Sequence, residues 1–277
     1  MNKVLVTGGA GFIGSHLVDK LVDLGHRVLV LDNLVNGKKE NINSRAEFHQ
    51  IDICDFMDMS LYFKDIDFVF HLAALPRVPL SIEDPIGTSK TNVMGTINVF
   101  EASRQAGVKR VISTSSSAVY GNQDTLPLKE DMLPKPISPY GLQKWQGEQW
   151  AKIYTNLYNL PIVSIRPFNV YGPRIDVNSD YSLVLGKFLK LRSQGKPLTI
   201  HGDGEQTRGY CYVADLVEAF VLAMQSQKIK GGEVVDLAVV KQQALESKQG
   251  QEEKKVIFPK IIIEFRNFGT FFDKLKK

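Results

Sequence analysis

The sequence predicts an α/β protein built on a doubly wound parallel sheet, and three features of the chain support this prediction. Short apolar runs alternate with segments of helical periodicity over roughly the first 170 residues. Most of the runs are apolar along nearly their whole length, which is typical of strands buried on both faces. A glycine-rich turn joins the first apolar run to the first helical segment. We therefore expect right-handed crossovers, with helices on both faces of one sheet.

The individual elements follow from the spacing of the apolar residues. Strand-like runs lie at Val4–Val6, Val28–Leu31, Glu47–Gln50, Phe68–His71, Val111–Ser113 and Ile162–Ile165. Helical periodicity, with apolar residues three and four positions apart, is found at Ser15–Leu24, Thr88–Ala106 and Tyr140–Leu157. The chain contains no internal repeat that would suggest a solenoid.

The composition sets limits on the class of protein. The 277 residues are 43% hydrophobic and 23% charged, which is enough for a sizeable core, and the net charge of +4 is too mild for a nucleic-acid stripe. The two cysteines, Cys54 and Cys211, are far apart and lack metal-type partners, so we expect a reduced, cytoplasmic protein without a metal. A strand-like run begins at Lys3, and no apolar run approaches the ~20 residues of a membrane span, so we expect neither a signal peptide nor a membrane.

The turn after the first strand indicates a dinucleotide site. Residues 7–14 read Thr-Gly-Gly-Ala-Gly-Phe-Ile-Gly and lead into a helix. Glycines here permit a tight turn and a close approach of the backbone to a pyrophosphate, and the helix N-terminus then faces its negative charge. This strand–turn–helix context predicts a Rossmann-type nucleotide site formed by Gly8, Gly11, Phe12, Ile13 and Gly14.

The second strand ends in an acidic residue, Asp32, which predicts NAD as the cofactor. A carboxylate at this position accepts hydrogen bonds from the ribose hydroxyls of the adenosine and repels a 2′-phosphate. Lys38 and Lys39 lie nearby and keep NADP open as an alternative.

The regular alternation of strand-like and helical segments ends after about residue 170. Helical segments at Ser182–Ser193 and Ala214–Gln225 are separated by turn-rich stretches, which favours a smaller lobe over the carboxyl edge of the sheet. We predict a dinucleotide-binding domain in residues 1–168 and a substrate-binding lobe in residues 169–277, with the two interleaved.

Tyr140 and Lys144 lie four residues apart in a predicted helix, so both side chains occupy one face. A free tyrosine has a pKa near ~10 and is a poor base at neutral pH. A neighbouring ammonium group favours the phenolate, so the pair is a candidate acid–base centre. Ser138 is placed to cap this helix and Pro139 suits its first turn.

Taken together, these motifs resemble the extended short-chain dehydrogenase/reductase family, and within it the NAD-dependent sugar-nucleotide epimerases and dehydratases. Further segments are similar to family motifs at family-like spacings, and the resemblance runs from residue 1 to about 238. These segments are Asp52-Ile53, the turn 71–74 (His-Leu-Ala-Ala), the helix-bending Asn92, the serine-bearing strand 113–121, the stretch 166–174 and the stretch 202–208.

The resemblance implies a role for each matching residue. It makes Tyr140 the base, Lys144 its activator and ligand of the nicotinamide ribose, and Ser116 the catalytic hydroxyl, with Ser115 and Ser117 as rivals. It assigns the substrate diphosphate to Asn169 and Arg208. It also implies cofactor contacts from Asp32, Asn33, Asp52, Ile53, Leu72, Ala73, Ala74, Asn92, Tyr140 and Lys144.

Ala118 narrows the expected chemistry. Related dehydratases and decarboxylases carry an acidic residue two positions before the tyrosine of Val-Tyr-Gly, whereas this chain has Ser117-Ala118. Expelling a hydroxyl needs that extra acid or base, so we expect 4-epimerisation of a UDP-sugar, glucose/galactose or their N-acetyl forms. The alternatives are a dehydratase, decarboxylase or reductase of the same fold, or a nucleotide-binding homologue with impaired catalysis.

The resemblance also bears on assembly and on the C-terminal end. The helices near Thr88–Ala106 and Tyr140–Leu157 resemble those that form a four-helix homodimer interface, so we expect a homodimer. After Ala238 the family's glycine-containing turn is missing, Gln242–Lys255 is polar, and Val256–Ile263 is strand-like. We expect a shortened or divergent substrate lobe there.

Overall fold

The computed structural model describes residues 1–176, 184–199 and 209–237, together with two two-residue strands near the C-terminal end. Seven strands form the main sheet: β1 (Lys3–Thr7), β2 (Arg27–Leu31), β3 (Glu47–His49), β4 (Phe68–His71), β5 (Arg110–Thr114), β6 (Ile162–Pro167) and β9 (Val234–Leu237). Their order is β3–β2–β1–β4–β5–β6–β9, and all neighbouring pairs are parallel. The predicted fold class is confirmed.

Eight α-helices accompany these strands in the part of the chain that is described. They are α1 (Phe12–Asp23), α2 (Phe56–Ser60), α3 (Val78–Glu83), α4 (Pro85–Ser89), α5 (Thr96–Gln105), α6 (Pro139–Tyr158), α7 (Val184–Ser193) and α8 (Val213–Gln225). A π-helical turn, Lys90–Gly95, links α4 to α5. None of the described helices has the length and apolar character that a membrane crossing requires.

The sheet is buried on both faces because its side chains alternate between two apolar cores. On β1, Val4 and Val6 belong to the core beneath α1 and α8, whereas Leu5 belongs to the core beneath α2, α5 and α6. All three are fully buried. Successive strand side chains point to opposite faces, so an uninterrupted apolar run is what such a strand needs.

The strand order reverses between β1 and β4, which opens a crevice at the carboxyl ends of these strands. The turn after β1 and the turn after β4 meet there, because Leu72 donates its backbone N–H to the carbonyl of Thr7. In doubly wound sheets this crevice is where ligands bind, so the fold alone directs attention to residues 8–14 and 72–75.

The second half of the chain returns to the sheet. The helix predicted over Ala214–Gln225 packs beside α1 on the sheet. Its apolar residues, such as Leu216 and Phe220, are completely buried because they complete one of the two cores. The division at residue 168 stays a prediction, and both α8 and β9, which follow it in sequence, pack in or against the main sheet.

Two small sheets lie outside the main one. Strands β7 (Val170–Tyr171) and β8 (Cys211–Tyr212) pair in parallel just beyond the end of β6. The run predicted as strand-like at Val256–Ile263 contains two strands rather than one, β10 (Ile257–Phe258) and β11 (Ile261–Ile262), which pair antiparallel.

Candidate functional site

The glycine loop after β1 is packed so closely that side chains are excluded. Gly8 has a φ of +74°, and a β-carbon there would lie 2.6 Å from the backbone nitrogen of Ala73. A β-carbon on Gly14 would overlap the carbonyl oxygen of Gly8. Glycine at these two positions therefore lets the turns after β1 and β4 approach each other and lets α1 start directly under the loop.

The N-terminus of α1 is built to receive an anion. Gly11 precedes the helix in an extended conformation, and no side chain caps the first turn. The N–H groups of Phe12, Ile13 and Gly14 have no partners inside an α-helix, so they point with the helix dipole toward the crevice. This cradle fits the pyrophosphate of NAD.

Asp32, Asn33 and Asp52 form the edge predicted for the adenosine. Asp32 accepts hydrogen bonds from the N–H groups of Ala10 (3.0 Å) and Leu34 (2.8 Å). Burial raises the pKa of Asp32, and these two N–H groups oppose the rise. Asn33 donates its side-chain amide to Asp52 at 3.1 Å. Hydrogen bonds within the protein thus fix the three side chains, and their contacts with the adenosine stay a prediction.

The turn after β4 is held from behind by Asn92. Its amide accepts from the N–H of Leu75 (2.7 Å), donates to the Leu75 carbonyl (3.1 Å) and donates to Gln143 (2.7 Å). Asn92 lies in the π-helical turn, in agreement with its expected helix-bending role. These bonds link the turn with Leu72, Ala73 and Ala74 to helix α6, whereas a direct contact of Asn92 with the cofactor stays a prediction.

Ile53 supports the cofactor rim through packing. It is buried, and its side chain fills the space beside Gly95, where a β-carbon would lie 2.6 Å from Cδ1. Its carbonyl accepts from the amide of Asn98 at 2.9 Å. The loop after β3 is therefore anchored to α5.

Helix α6 begins as the sequence predicts and presents Tyr140 and Lys144 from its first two turns. Ser138 caps it by accepting from the N–H of Gly141 at 3.1 Å, and Pro139 occupies the first helical position. The Ser116 hydroxyl lies close enough to Tyr140 to influence its pKa. Lys144 donates its Nζ to the carbonyl of Thr114 at the end of β5, at 2.8 Å. The three predicted catalytic residues are therefore brought together.

Burial of the Tyr140 phenol works against its predicted activation by Lys144. Burial raises the pKa of Tyr140 to about 12, and only the Ser116 hydroxyl opposes this among the surrounding protein groups. Burial lowers the pKa of Lys144 to about 8, although the carboxylate of Glu148 opposes it. That the Lys144 ammonium favours the Tyr140 phenolate stays a prediction.

The three adjacent serines are distinguished by their surroundings. Ser115 is buried and donates to Glu148, while Ser116 accepts from the N–H of Ala118 at 3.1 Å and reaches Tyr140. Ser117 begins a short 3₁₀ turn. The geometry favours Ser116 over its rivals, and its role as the catalytic hydroxyl stays a prediction.

The two predicted substrate residues have different outcomes. Asn169 follows β6 with a φ of +33° and donates its amide to the carbonyl of Gly209 at 2.7 Å. Arg208 lies outside the described residues. The structure thus joins Asn169 to the residue that directly follows position 208, and both roles at the diphosphate stay predictions.

Sequence reasoning missed several residues that organise the site. The Ser81 hydroxyl accepts from the N–H of Tyr140 at 3.0 Å. Glu148 and Arg166 form a buried ion pair beside the serines. The four-residue spacing that places Tyr140 and Lys144 on one face of the helix also places Glu148 there, so the same spacing could have predicted Glu148 near the site. The partners of Ser81 and Arg166 depend on tertiary packing and carry no local signal.

Comparison with known proteins agrees with this site. Residues 4–238 match the NAD dependent epimerase/dehydratase family. A UDP-glucose 4-epimerase of Mycolicibacterium smegmatis is 43% identical over 229 residues, which cover 80% of this chain and 72% of that protein. A solved UDP-N-acetylglucosamine 4-epimerase of Methanobrevibacter ruminantium superposes with a TM-score of 0.83 at 40% identity, covering 87% of this chain and 77% of the other.

Another relative has a different chemistry. A UDP-N-acetyl-alpha-D-glucosaminuronate decarboxylase of Bacillus cytotoxicus is 38% identical over 244 residues, which cover 85% of this chain and 74% of that protein.

The site and these matches define a nucleotide-dependent enzyme of the extended short-chain dehydrogenase/reductase class. The chain belongs to the NAD dependent epimerase/dehydratase family. The predicted family, the enzyme class and NAD as the cofactor are confirmed.

Proposed function

We propose that this chain is an NAD-dependent 4-epimerase of a UDP-sugar. The observation that carries the proposal is that Tyr140 and Lys144, one turn apart on α6, meet the chain that follows β5: Lys144 bonds the Thr114 carbonyl, and Ser116 lies beside Tyr140. This set lies beyond the carboxyl ends of the strands, and the glycine cradle in the same crevice fits the cofactor. The similarity to UDP-sugar 4-epimerases supports the same activity.

In this proposal Tyr140 is the general base that takes the proton of the sugar's 4-hydroxyl and returns it. Ser116 bridges the reacting oxygen and Tyr140, and it donates to the phenolate as that forms. Bound NAD would supply the hydride acceptor for C4 and, for the 4-keto sugar, the hydride donor to the opposite face. Lys144 is held by the Thr114 carbonyl, and from there its ammonium would hydrogen-bond the ribose of a bound nicotinamide.

The pKa values explain why the site needs its charges. With a pKa of about 12, Tyr140 is almost entirely protonated at neutral pH. Positive charge beside the phenol, from Lys144 and from the oxidised nicotinamide ring, favours the phenolate. Because the pKa of Lys144 is about 8, its charge is lost above that pH. We therefore expect activity to fall on the alkaline side as Lys144 is deprotonated.

The second candidate function is decarboxylation or dehydration, which the decarboxylase relative supports. Those reactions need a further acid or base near the sugar. At the position expected for it this chain has Ala118, whose N–H is bonded to Ser116. The nearby buried carboxylate, Glu148, is paired with Arg166. Among the described residues the serine strand offers no free carboxylate, which favours epimerisation.

Substrate recognition is proposed to rest on Asn169 and Arg208. An amide and a guanidinium suit the oxygens of a diphosphate, and arginine offers a fork of donors. The contact of Asn169 with Gly209 supports a shared diphosphate site with position 208. The substrate-binding lobe of residues 169–277 and its uridine contacts are part of this proposal.

A homodimer is proposed from an exposed apolar stripe on α6. Leu142, Trp150, Ile153 and Leu157 recur at helical spacing and are 38–66% exposed. Met94, on the neighbouring π-helical turn, is 53% exposed. Paired antiparallel with a second copy, such a stripe would bury these side chains in a four-helix contact. Light scattering at micromolar protein should give twice the 31.0 kDa chain mass, and a monomer mass would count against the dimer.

A cytoplasmic location is proposed from the cysteines. Cys54 and Cys211 are unpaired, and burial raises the pKa of both thiols. Unpaired thiols suit a reducing compartment.

The activity is tested by incubating the protein with UDP-glucose, UDP-galactose and their N-acetyl forms without added NAD. Nuclear magnetic resonance should detect inversion at C4 of at least one sugar, because no net oxidation occurs and the cofactor stays bound. The cofactor content is verified separately by release into acid. A protein that contains NAD yet interconverts none of these sugars would contradict the proposal.

A further inference from the structure

The segment Ser115–Tyr120, called here the serine segment, carries the catalytic hydroxyl and is fastened at both ends. At its start, Ser115 donates to Oε1 of Glu148 at 2.5 Å. At its end, the hydroxyl of Tyr120 accepts from Nη1 of Arg166 at 2.6 Å. Ser116 lies between these two attachments, so its position depends on both.

The two attachments meet in one ion pair. Arg166 donates Nε to Oε1 of Glu148 at 2.7 Å and Nη2 to Oε2 at 2.6 Å, which is a bidentate arrangement. Its guanidinium also lies 4.7 Å from the centre of the Tyr120 ring. Tyr120 passes the chain of hydrogen bonds on to Asp236 at 2.6 Å. The serine segment is therefore tied to α6, β6 and β9 through a single buried cluster.

Glu148 and Tyr140 belong to the same helix, so the ion pair connects the serine segment to the helix that carries the base. Tyr140, Lys144 and Glu148 follow at intervals of four residues, so they lie along one face of α6. A bond from Glu148 to Ser115 therefore sets the distance between the serine segment and the helix that carries the base. The pair is almost completely buried, with 1% of the Glu148 side chain and 3% of the Arg166 side chain exposed.

Stability alone gives little reason for such a pair. Burying two charges costs desolvation free energy that their attraction roughly repays, and well-packed apolar residues are often as stable. What a bidentate pair adds is direction, because its hydrogen bonds have fixed geometry. A fixed geometry is what a hydroxyl needs when it must bridge a substrate oxygen and a base.

We propose that Glu148 and Arg166 are positioning residues that clamp the serine segment at Ser115 and Tyr120 and thereby hold the Ser116 hydroxyl against Tyr140. The clamp rests on the proposed epimerase function, and it acts through Ser116 rather than on the substrate. Ser115 is the residue of the clamp best suited to a test, because removing its hydroxyl leaves the Glu148–Arg166 pair intact.

The test is a double-mutant cycle with Ser115→Ala and Ser116→Ala, measured as kcat and KM for the sugar that the wild-type protein inverts. Ser115→Ala should lower kcat roughly tenfold with KM changed less than about twofold, since only the alignment is lost. In the Ser116→Ala background the same change should have at most a twofold effect. Ser103→Ala, which removes another buried serine hydroxyl bonded within α5, is the matched control and should change neither constant.

The outcomes separate the clamp from the function it rests on. A wild-type protein without turnover would refute the proposed function itself. With wild-type turnover present, an unchanged kcat in Ser115→Ala would overturn the clamp. An equal tenfold loss in both backgrounds would overturn it too, because Ser115 would then act independently of Ser116. Glu148→Gln extends the test to the ion pair and should lower kcat more than Ser115→Ala does.

Discussion

The catalytic region and the substrate region of this chain are held in different ways. The serine segment and α6 are fixed by hydrogen bonds of buried side chains to other side chains and to the backbone, with partners from α3, β5 and β6. The substrate region, residues 168–176 and 209–213, is joined by the two-residue strands β7 and β8 and by the bond from Asn169 to Gly209.

The difference lies also in the backbone. In the substrate region Asn169, Gly172 and Arg174 all have positive φ values, of +33°, +152° and +65°. The chain there turns sharply, whereas the catalytic region consists of the regular helix α6 and a segment that follows β5 through a short 3₁₀ turn. We infer that the chemistry is fixed by the rigid part and that the choice of sugar nucleotide is left to the turns.

The largest effect is expected from removing the base of the catalytic region. Tyr140→Phe deletes only the phenolic oxygen, so turnover should fall about a thousandfold, within the range for general acid–base catalysis. Bound NAD should remain, because the ring still fills its site. Acid release and absorbance measure the cofactor, and Tyr62→Phe, whose ring stacks on His49, is the control. Loss of NAD from Tyr140→Phe would contradict the assigned role.

The cofactor cradle should be nearly as sensitive to a single methyl group. Gly14→Ala places a β-carbon against the Gly8 carbonyl, so the loop must shift and NAD affinity should fall at least about tenfold, or about 1.4 kcal/mol. Gly147→Ala in α6 is the matched control, because its β-carbon would lie 3.8 Å from the nearest atom, Cγ2 of Thr96. Equal NAD affinities in the two variants, measured by calorimetry, would refute the cradle.

The substrate region should respond in KM rather than in kcat. Asn169→Ala removes the amide and disfavours the positive φ, so KM should rise roughly tenfold while kcat changes less than about threefold. Asn169→Gly keeps the conformation and removes only the amide, which separates the two contributions. Steady-state kinetics with unchanged KM in both variants would show that this turn does not bind substrate.

The smallest effect is expected at Asp236, which accepts a hydrogen bond from Tyr120, and it should appear in the free energy of unfolding. Burial raises the pKa of Asp236 to about 6, from an ordinary value of 3.8. The folded chain therefore binds the proton more tightly than the unfolded chain, and stability falls as the pH rises from about 4 to 6. Above pH 6 the ionised carboxylate continues to cost free energy.

Asp236→Asn removes that cost and still accepts from Tyr120. Its melting temperature should exceed that of the wild type by a few degrees at pH 8, corresponding to about 1–2 kcal/mol, and should match it at pH 4. Differential scanning calorimetry at both pH values measures the difference. A variant that is less stable than the wild type at pH 8 would show that the charge of Asp236 stabilises the cluster.

Much of the catalytic region could be predicted from the sequence because its signals are local. The Ser138 cap and Pro139 mark the start of α6, and the spacing of Tyr140 and Lys144 fixes their common face. The glycine loop carries its own geometry in the same way. These features depend on neighbours within a few residues, which a sequence displays directly.

The remaining features depend on packing between distant segments. The return of α8 to the sheet depends on its apolar face meeting α1, and the pKa of Tyr140 depends on burial that a residue list does not show. The partner of Glu148 comes from β6, so the ion pair emerges only once helix and strand are packed. Sequence patterns therefore predict the positions of the candidate catalytic residues better than they predict the tertiary contacts that orient them.

The central claim is that a hydride leaves C4 of a UDP-sugar and returns to the same carbon within one site. The most direct measurement uses UDP-glucose or UDP-N-acetylglucosamine deuterated at C4, followed by mass spectrometry and nuclear magnetic resonance of the product. The account predicts a C4-inverted sugar that keeps its deuterium at C4 with no exchange into water. Deuterium lost to solvent, or a product that has lost water or carbon dioxide, would contradict it.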